Sequence, residues 1–419
     1  KVSAFYAKIP LNAALWQRLK AFAETREAGT LTGIHRRFLD DTVADFRQAG
    51  ADLPAERRTR LEALQGELAQ LTQKYSENVL DATNAWQLVI EDESRLAGLP
   101  AHAKAAARHS AEAKGFGTAA KPAWRFTLHQ PSQEPVMLHA EDEGLRREIW
   151  TAATGVGDQA PYENTGLIRN ILALRAEKAA LLGQSHFANL VLKRRMAGSG
   201  ARALEFIEDL KSRAQPAFGR ECRDLEEFKA EVTGGAPAPL KAWEVGFWAE
   251  KLRKVRYDFD EEALRPYLPM DRVIAGLFEL AGRVFGLRIA ERPTFAGAAA
   301  DQPAGSVEVW HPEVKFYDMQ DARGRPVGSF YADWYPRESK RGGAWMNYLI
   351  TGGPRADGTR APHLGLICGN LTPPSYAKPA AGAPAEASVK TGLPALLTHR
   401  EVETIFHEFG HLLHHLLGE

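Results

Sequence analysis

The 419-residue chain balances 53 basic against 53 acidic residues, and 44% of its residues are hydrophobic. This composition is ordinary for a globular protein with a core, and it lacks the basic charge of a nucleic-acid-binding protein. No apolar run is long enough to span a bilayer, so we expect no membrane partner. Two cysteines make no disulfide framework, which favours a reducing compartment, and we predict a cytoplasmic location.

Helical spacing of apolar residues dominates the first two thirds of the chain. The helices that this spacing predicts cover residues 12–26, 35–48, 54–80, 167–182, 201–232 and 272–285. Two short alternating segments, 85–91 and 124–129, predict strands. Gly and Pro between 234 and 239 predict a linker between helices.

The pattern changes towards strands after residue 313. Segments 314–318 and 327–331 flank a turn rich in Asp, Gly and Pro, which predicts a β-hairpin. Segments 344–349 and 363–368 predict further strands beside it. Loops are predicted at two stretches rich in Gly, Ala and Pro, namely 293–303 and 378–392.

These elements predict a mainly α fold with a small β-sheet. Residues 1–195 are predicted to form a helical N-terminal lobe. Residues 196–419 are predicted to hold further helices, the hairpin segment and the start of a catalytic domain. Length alone allows two or three domains, or one large one.

The final segment carries the chemistry. Thr398 and Glu401 form a capping box, so a helix is predicted to begin there and to end near Gly418. His407 and His411 are one turn apart, opposite a continuous apolar arc, and can place two ring nitrogens on one metal ion. Glu408 lies one step round, where it can reach a water on that metal. This His-Glu-x-x-His pattern indicates two zinc ligands and a general base.

Other residues near the motif leave alternatives open. A chance match on an amphipathic helix is the structural alternative, but a buried unpaired charge would be costly on such a helix. His414 projects near the His407 side and is either a cleft residue or a polar neighbour. The metzincin pattern is excluded, since it needs Gly at His414 and His at Leu417. Glu419 follows Gly418 and projects towards the Glu408 side, so we expect the third ligand beyond it.

The motif and its surroundings resemble the thimet oligopeptidase family, most closely its bacterial oligopeptidase A branch. The similarity covers HEFGH with the following LLHH at 407–415, the segment GSFYADWYPRESKRGGAWM at 328–346, and LLTHREV at 396–402. It also includes AEKAALLG at 176–183. Because these segments occur together over most of the chain, the resemblance is specific.

The resemblance implies a two-lobed zincin-like fold with a deep, narrow channel that admits only short peptides. It implies that His407 and His411 bind zinc, that Glu408 is the general base, and that the third ligand is a Glu on a following helix. The family's later residues lie beyond Glu419, so the chain is interpreted as truncated at both ends and the fold as incomplete at its C-terminus.

The predicted function is zinc-dependent hydrolysis of short peptides by a cytoplasmic monomer that binds neither nucleic acid nor membrane. The substrate is expected to lie extended beside a strand edge at 344–349. Aromatic residues near this strand either line the cleft or belong to the core: Trp310, Tyr331, Trp334, Tyr335 and Trp345. Two alternatives remain, namely a catalytically silent helical fragment or binding scaffold without the third ligand, and a peptidase of another HExxH clan.

Overall fold

A computed structural model describes residues 5–6, 8–118, 120–297, 304–355, 357, 359–374 and 394–418. The chain forms two compact units, each built from two stretches. The first unit comprises 1–82 and 155–224, and the second comprises 83–154 and 225–419. The division into lobes at residue 195 stays a prediction.

Helices make up most of the described chain, as predicted. In chain order the α-helices are α1 (Ala13–Ala23), α2 (Arg26–Thr30), α3 (Gly33–Ala49), α4 (Ala55–Ala85), α5 (Ala101–Ala113), α6 (Gln130–His139), α7 (Glu143–Thr154), α8 (Thr165–Leu181), α9 (Phe187–Leu192), α10 (Gly200–Thr233), α11 (Ala242–Tyr257), α12 (Met270–Phe285) and α13 (His399–Leu416). Short 3-10 turns occupy Ile9–Leu11, Glu93–Leu96 and Glu261–Tyr267. Among the described residues, no helix combines the length and apolar character needed to cross a membrane.

The helix predicted over 12–26 is present but ends early. The single helix expected over 12–26 ends at Ala23, and the side chain of Thr25 accepts a hydrogen bond from the backbone N–H of Ala28. Thr25 therefore caps the start of α2, and the predicted helix is confirmed except for its last three residues. A Thr side chain that satisfies a free backbone N–H group starts a new helix more readily than it continues an old one.

Among the described residues, all strands lie in the second unit. They are β1 (Leu88–Ile90), β2 (Trp124–Phe126), β3 (Arg288–Arg292), β4 (Thr294–Ala296), β5 (Val307–Val309), β6 (Lys315–Gln320), β7 (Pro326–Asp333), β8 (Trp345–Ile350), β9 (Gly353–Pro354), β10 (Arg360–Ala361) and β11 (His363–Cys368). The loop predicted at 293–303 was partly wrong, because β4 pairs there with β5. Three residues are too few to show alternation. The loop predicted at 378–392 lies outside the described residues.

A five-stranded sheet in the second unit has the order β3-β6-β7-β11-β8. The predicted hairpin is confirmed, since β6 and β7 pair antiparallel. β11 runs parallel to β7 and antiparallel to β8, so β8 is an edge strand within the described part of the chain. This arrangement confirms strands at both 344–349 and 363–368.

The core of the second unit lies between this sheet and helices α12 and α13. The Phe409 ring of α13 lies 6.0 Å from the Phe278 ring of α12 and 6.1 Å from the Phe330 ring of β7. A Cβ added to Gly365 in β11 would collide with Leu412 of α13. Helix α13 therefore packs directly on the sheet, and its polar face points away from the core.

Among its described residues, the first unit consists of helices and the turns that connect them. The Trp16 ring stacks on the Phe46 ring at 5.9 Å, which joins α1 to α3. Arg60 of α4 donates two hydrogen bonds to the Glu177 carboxylate of α8, at 2.6 and 2.7 Å. These contacts explain how the helices hold together.

Candidate metal and catalytic centre

The start of α13 is fixed by the predicted capping box, which is confirmed. The Thr398 side chain accepts a hydrogen bond from the backbone N–H of Glu401 at 3.1 Å. The Glu401 carboxylate accepts one from the backbone N–H of Thr398 at 2.7 Å. The other carboxylate oxygen accepts the backbone N–H and the hydroxyl of Thr372, just after β11. The helix is thereby tied to the sheet that it covers.

The chain that leads into α13 is held from the other side as well. The buried Arg265 donates a hydrogen bond to the carbonyl oxygen of Leu396 at 2.8 Å, and its guanidinium lies 3.7 Å from the Glu401 carboxylate. The backbone N–H of Met270 donates to the carbonyl of Ala395 at 2.9 Å. The sequence carried no signal for these contacts, because their partners are far apart in the chain.

His407 and His411 lie together on the exposed face of α13. Their Nε2 atoms are 3.2 Å apart, and their rings are nearly perpendicular, with centroids 4.8 Å apart. Two nitrogens that bind one tetrahedral zinc ion at about 2.0–2.1 Å each are separated by about 3.4 Å. The pair therefore fits two positions of a zinc site, and imidazole nitrogens are among the donors that zinc prefers.

Glu408 follows His407 directly on α13. Its side chain is buried, with only 9% of the residue exposed, yet it lines the same cleft as His411. Among the residues that the structure describes, no group of three His, Cys, Asp or Glu side chains could hold a metal ion. The described chain thus supplies two donors and a neighbouring carboxylate, while Glu419 lies outside the described residues.

A cleft of about 560 Å³ opens between α13 and the edge strand β8. Its lining residues come from the strand side and the helix side: Ala344, Trp345, Met346 and Tyr348, and Glu408, His411, His414 and His415. His414 is thus a cleft residue, one of the two alternatives that the sequence left open. Of the five aromatic residues considered for the cleft, Trp345 lines it, whereas Trp334 is buried in the core.

A buried ionic cluster stabilises the segment that enters β8. Asp333 and Lys340 are both buried, and the Lys340 ammonium donates a hydrogen bond to the Asp333 carboxylate at 3.0 Å. Arg337 and the Trp310 indole N–H also donate to this carboxylate. Although burial opposes it, these hydrogen bonds lower the pKa of Asp333. The Asp333 carboxylate therefore stays ionised and holds the chain between β7 and β8.

Two buried histidine nitrogens were not foreseen. His415 on α13 packs its ring against the His363 ring of β11, with centroids 5.0 Å apart. His363 Nδ1 accepts a hydrogen bond from the backbone N–H of Gly352 at 3.1 Å. Nε2 of each ring is buried and has no hydrogen-bond partner among the described residues. Burial, followed by the proximity of His415, lowers the pKa of His363, which favours a neutral ring.

Comparison with known proteins identifies the family. The sequence model described as peptidase family M3 matches residues 136–419. Oligopeptidase A of Haemophilus influenzae is 35% identical over 423 residues, which cover 100% of this chain and 57% of that protein. Oligopeptidase A of Salmonella typhimurium is 37% identical, over 93% of this chain and 53% of its own length. The chloroplastic/mitochondrial organellar oligopeptidase A of Arabidopsis thaliana is 34% identical, over 99% of this chain and 50% of its own length.

The chain therefore spans about half the length of the curated relatives it matches. The resemblance to the oligopeptidase A branch, predicted from the HEFGH motif and from segment 328–346, is confirmed. With a family match that covers the whole of the β-sheet and the His-Glu-x-x-His helix, this chain belongs to peptidase family M3.

Proposed function

We propose that this chain carries the zinc-binding and catalytic helix of a peptidase that hydrolyses short peptides. In this proposal His407 and His411 are zinc ligands and Glu408 is the general base. The observation that carries it is the pair of Nε2 atoms 3.2 Å apart, beside a buried carboxylate that lines the same cleft. The third ligand is proposed to be a residue outside the described part of the chain.

The roles of the residues follow from their positions. When bound, zinc supplies a Lewis acid that polarises the scissile carbonyl and acidifies a water molecule. Glu408, on the cleft wall, accepts a proton from the attacking water and then donates it to the leaving amine. Because this carboxylate is largely shielded from bulk solvent, its interactions with the reacting atoms are stronger than they would be in water.

The edge strand β8 suggests how a peptide is held. Within the described sheet, one side of β8 has no neighbouring strand, so its backbone N–H and C=O groups can pair with an extended peptide. Such a peptide would run along the cleft between β8 and α13. The name oligopeptidase A of the relatives supports short peptides as substrates.

The remaining parts of the proposal concern the whole protein. We infer a monomeric, cytoplasmic enzyme with a two-lobed zincin-like fold and a deep substrate channel that the described residues form in part. Cys222 and Cys368 are free, which is compatible with a reducing compartment. Nucleic acid and membrane are not part of this proposal.

Metal content and cleavage together test the proposal. We would measure bound zinc by elemental analysis, alongside cleavage of a quenched fluorescent peptide. Glu408→Gln should retain zinc and lose cleavage, whereas His407→Ala and His411→Ala should lose both. Glu403→Gln, on an exposed side of the same helix, is the matched control and should retain both.

The outcome also decides between the alternatives. Stoichiometric zinc with cleavage that depends on Glu408 would support the peptidase and imply a third ligand from outside the described residues. Little zinc and no cleavage would favour the silent fragment or binding scaffold, which the lack of a three-residue metal group among the described residues supports. Full cleavage by Glu408→Gln would refute the assigned general base.

A further inference from the structure

The side chain of Tyr348 occupies a distinctive place in the cleft. Tyr348 lies directly opposite Gly365 in the antiparallel pair of β8 and β11. Opposed residues of such a pair point to the same face, and Gly365 faces Leu412 of α13. Tyr348 therefore points towards α13, and it is 65% exposed because it stands at the open side of the cleft.

Two histidine rings fix the orientation of Tyr348. The Tyr348 ring packs on the His415 ring with centroids 5.4 Å apart and planes 34° from parallel. His415 in turn meets the His363 ring edge-on, and His363 is only 5% exposed. The missing side chain of Gly365 makes room, since a Cβ there would already lie 3.7 Å from Cδ2 of His415. One face of the Tyr348 ring therefore packs on His415, while much of the side chain stays exposed.

From this geometry we propose that Tyr348 is a specificity-determining residue that accepts a large apolar or aromatic side chain of the peptide substrate. The inference rests on the proposed peptidase function and names its substrate class. His415 is a positioning residue that acts through Tyr348. The occupant is a side chain close to the scissile bond, because Glu408 and His411 line the same cleft.

The spacing of the edge strand supports this occupant. Met346 is two residues before Tyr348, pairs with Ile367, and therefore presents its side chain to the same face. A peptide added to β8 sets alternate side chains about 6.7 Å apart on that face, which matches the spacing of Met346 and Tyr348. The substrate side chain would thus pack against a thioether and an aromatic ring, both of which favour apolar and aromatic partners.

Charge in the cleft argues against an acidic occupant. None of the described residues that line the cleft is Lys or Arg, and Glu408 is among them. An aspartate side chain placed there would lose water without gaining a cationic side-chain partner. We therefore expect the affinity for peptides to fall in the order Phe, Ala, Asp at the position that contacts Tyr348.

Peptide binding to an uncleaving variant tests the proposal. In the zinc-loaded Glu408→Gln protein, dissociation constants of fluorescein-labelled pentapeptides would be measured by anisotropy, with Phe, Ala or Asp placed at each position in turn. Tyr348→Ala should weaken binding of the Phe peptide about tenfold at one position and change the Ala peptide less than twofold. Tyr348→Phe should retain the preference, and Tyr267→Ala, another exposed tyrosine, is the control.

His415 supplies a second, independent readout. Because the buried Nε2 of His415 has no hydrogen-bond partner among the described residues, the shape of the ring and not a hydrogen bond from Nε2 should hold Tyr348. His415→Phe should therefore keep the preference for the Phe peptide, and His415→Ala should reduce it. A purely structural role would change all peptides equally in both variants.

Three results would contradict the proposed subsite at Tyr348. Equal weakening of the Phe and Ala peptides by Tyr348→Ala, no change in either, or no binding of any peptide by the parent each contradicts it. Failure of the proposed function shows differently, as absent cleavage by the protein with Glu408 intact. That result leaves the ratios of dissociation constants unaffected.

Discussion

We predict that Gly328→Ala destabilises the second unit, because β11 and α13 both pack closely against Gly328. Gly328 lies in β7, and a Cβ there would be 2.8 Å from the backbone oxygen of His363 and 2.9 Å from Cδ2 of Leu416. Ordinary contacts to carbon lie at about 3.5–4.0 Å, so one of these neighbours must move by roughly 0.6 Å or more. The His363 oxygen belongs to the adjacent strand and cannot rotate away.

Two opposing effects set the size of this change. Overpacking of a core costs about 1–3 kcal/mol, whereas replacing a strand glycine by alanine gains about 0.5–1 kcal/mol through backbone entropy. The net loss should be about 1–2 kcal/mol. The second unit has about 270 residues, and at about 2.1 cal/mol/K of unfolding entropy per residue this loss corresponds to a fall of about 2–4 °C in Tm. Because the entropic term alone has the opposite sign, the direction of the shift is diagnostic.

Thermal unfolding followed by circular dichroism measures the shift, with Gly410→Ala as the control. Gly410 lies within α13, and a Cβ there meets nothing within 4 Å beyond its neighbours in the helix. This variant should gain up to about 1 kcal/mol from helix propensity. The same chemical change should thus lower Tm at Gly328 and raise it at Gly410. A raised Tm in Gly328→Ala would refute the close packing of β11 and α13 around Gly328.

Three further predictions follow from contacts around the site. Glu401→Ala removes half of the capping box and two hydrogen bonds from the loop after β11, and should cost about 1–2 kcal/mol in urea unfolding. Lys340→Met leaves the buried Asp333 carboxylate with Arg337 and the Trp310 indole N–H but without its buried ammonium partner, and should cost about 2–3 kcal/mol. Burial, followed by the nearby Arg265 guanidinium, lowers the pKa of His102 to about 4, so the ring is neutral in the folded protein above that pH. Its contribution to stability is complete above pH 6.5 and is lost as pH falls towards 4, so His102→Gln should flatten the fall of Tm between these values.

Matched variants control for each change. Glu403→Gln on α13 and Lys315→Met, which breaks an exposed ion pair with Glu291, should each stay within about 0.5–1 kcal/mol of the parent. His109→Gln on the same helix as His102 should leave the pH dependence of Tm unchanged. Losses in the controls as large as those in the test variants would contradict the importance assigned to burial.

Local patterns made much of the fold predictable. The capping box set the start of α13 because Thr398 and Glu401 are three residues apart and satisfy each other's backbone groups. The strand at 363–368 was predicted with its observed bounds. The parallel pairing of β11 with β7 was not predictable, because it depends on contacts between distant segments. The three-residue strand β4 was too short to show a periodic pattern.

Part of the candidate site was predictable from local sequence patterns, and part of it was not. The positions of His407, Glu408 and His411 were readable because a helix places residues four apart on one face. The structure brings the two imidazoles together, while their roles stay proposals. The cleft wall at 344–349 was foreseen only as a strand edge, and the bracing of Tyr348 by His415 was missed because the two residues belong to distant elements.

The orientation of Tyr348 shows why such a residue escapes sequence analysis. Leu364 pairs with Ile350, but Gly365 pairs with Tyr348, so Leu349 is passed over in a bulge of β8. Without this bulge Gly365 would stand opposite Leu349, and the alternation of side chains would turn Tyr348 to the other face of the sheet. A shift of one residue in the pairing thus decides whether an aromatic or an aliphatic side chain meets the substrate. Nothing local in the sequence marks that shift, and the proposed subsite depends on it.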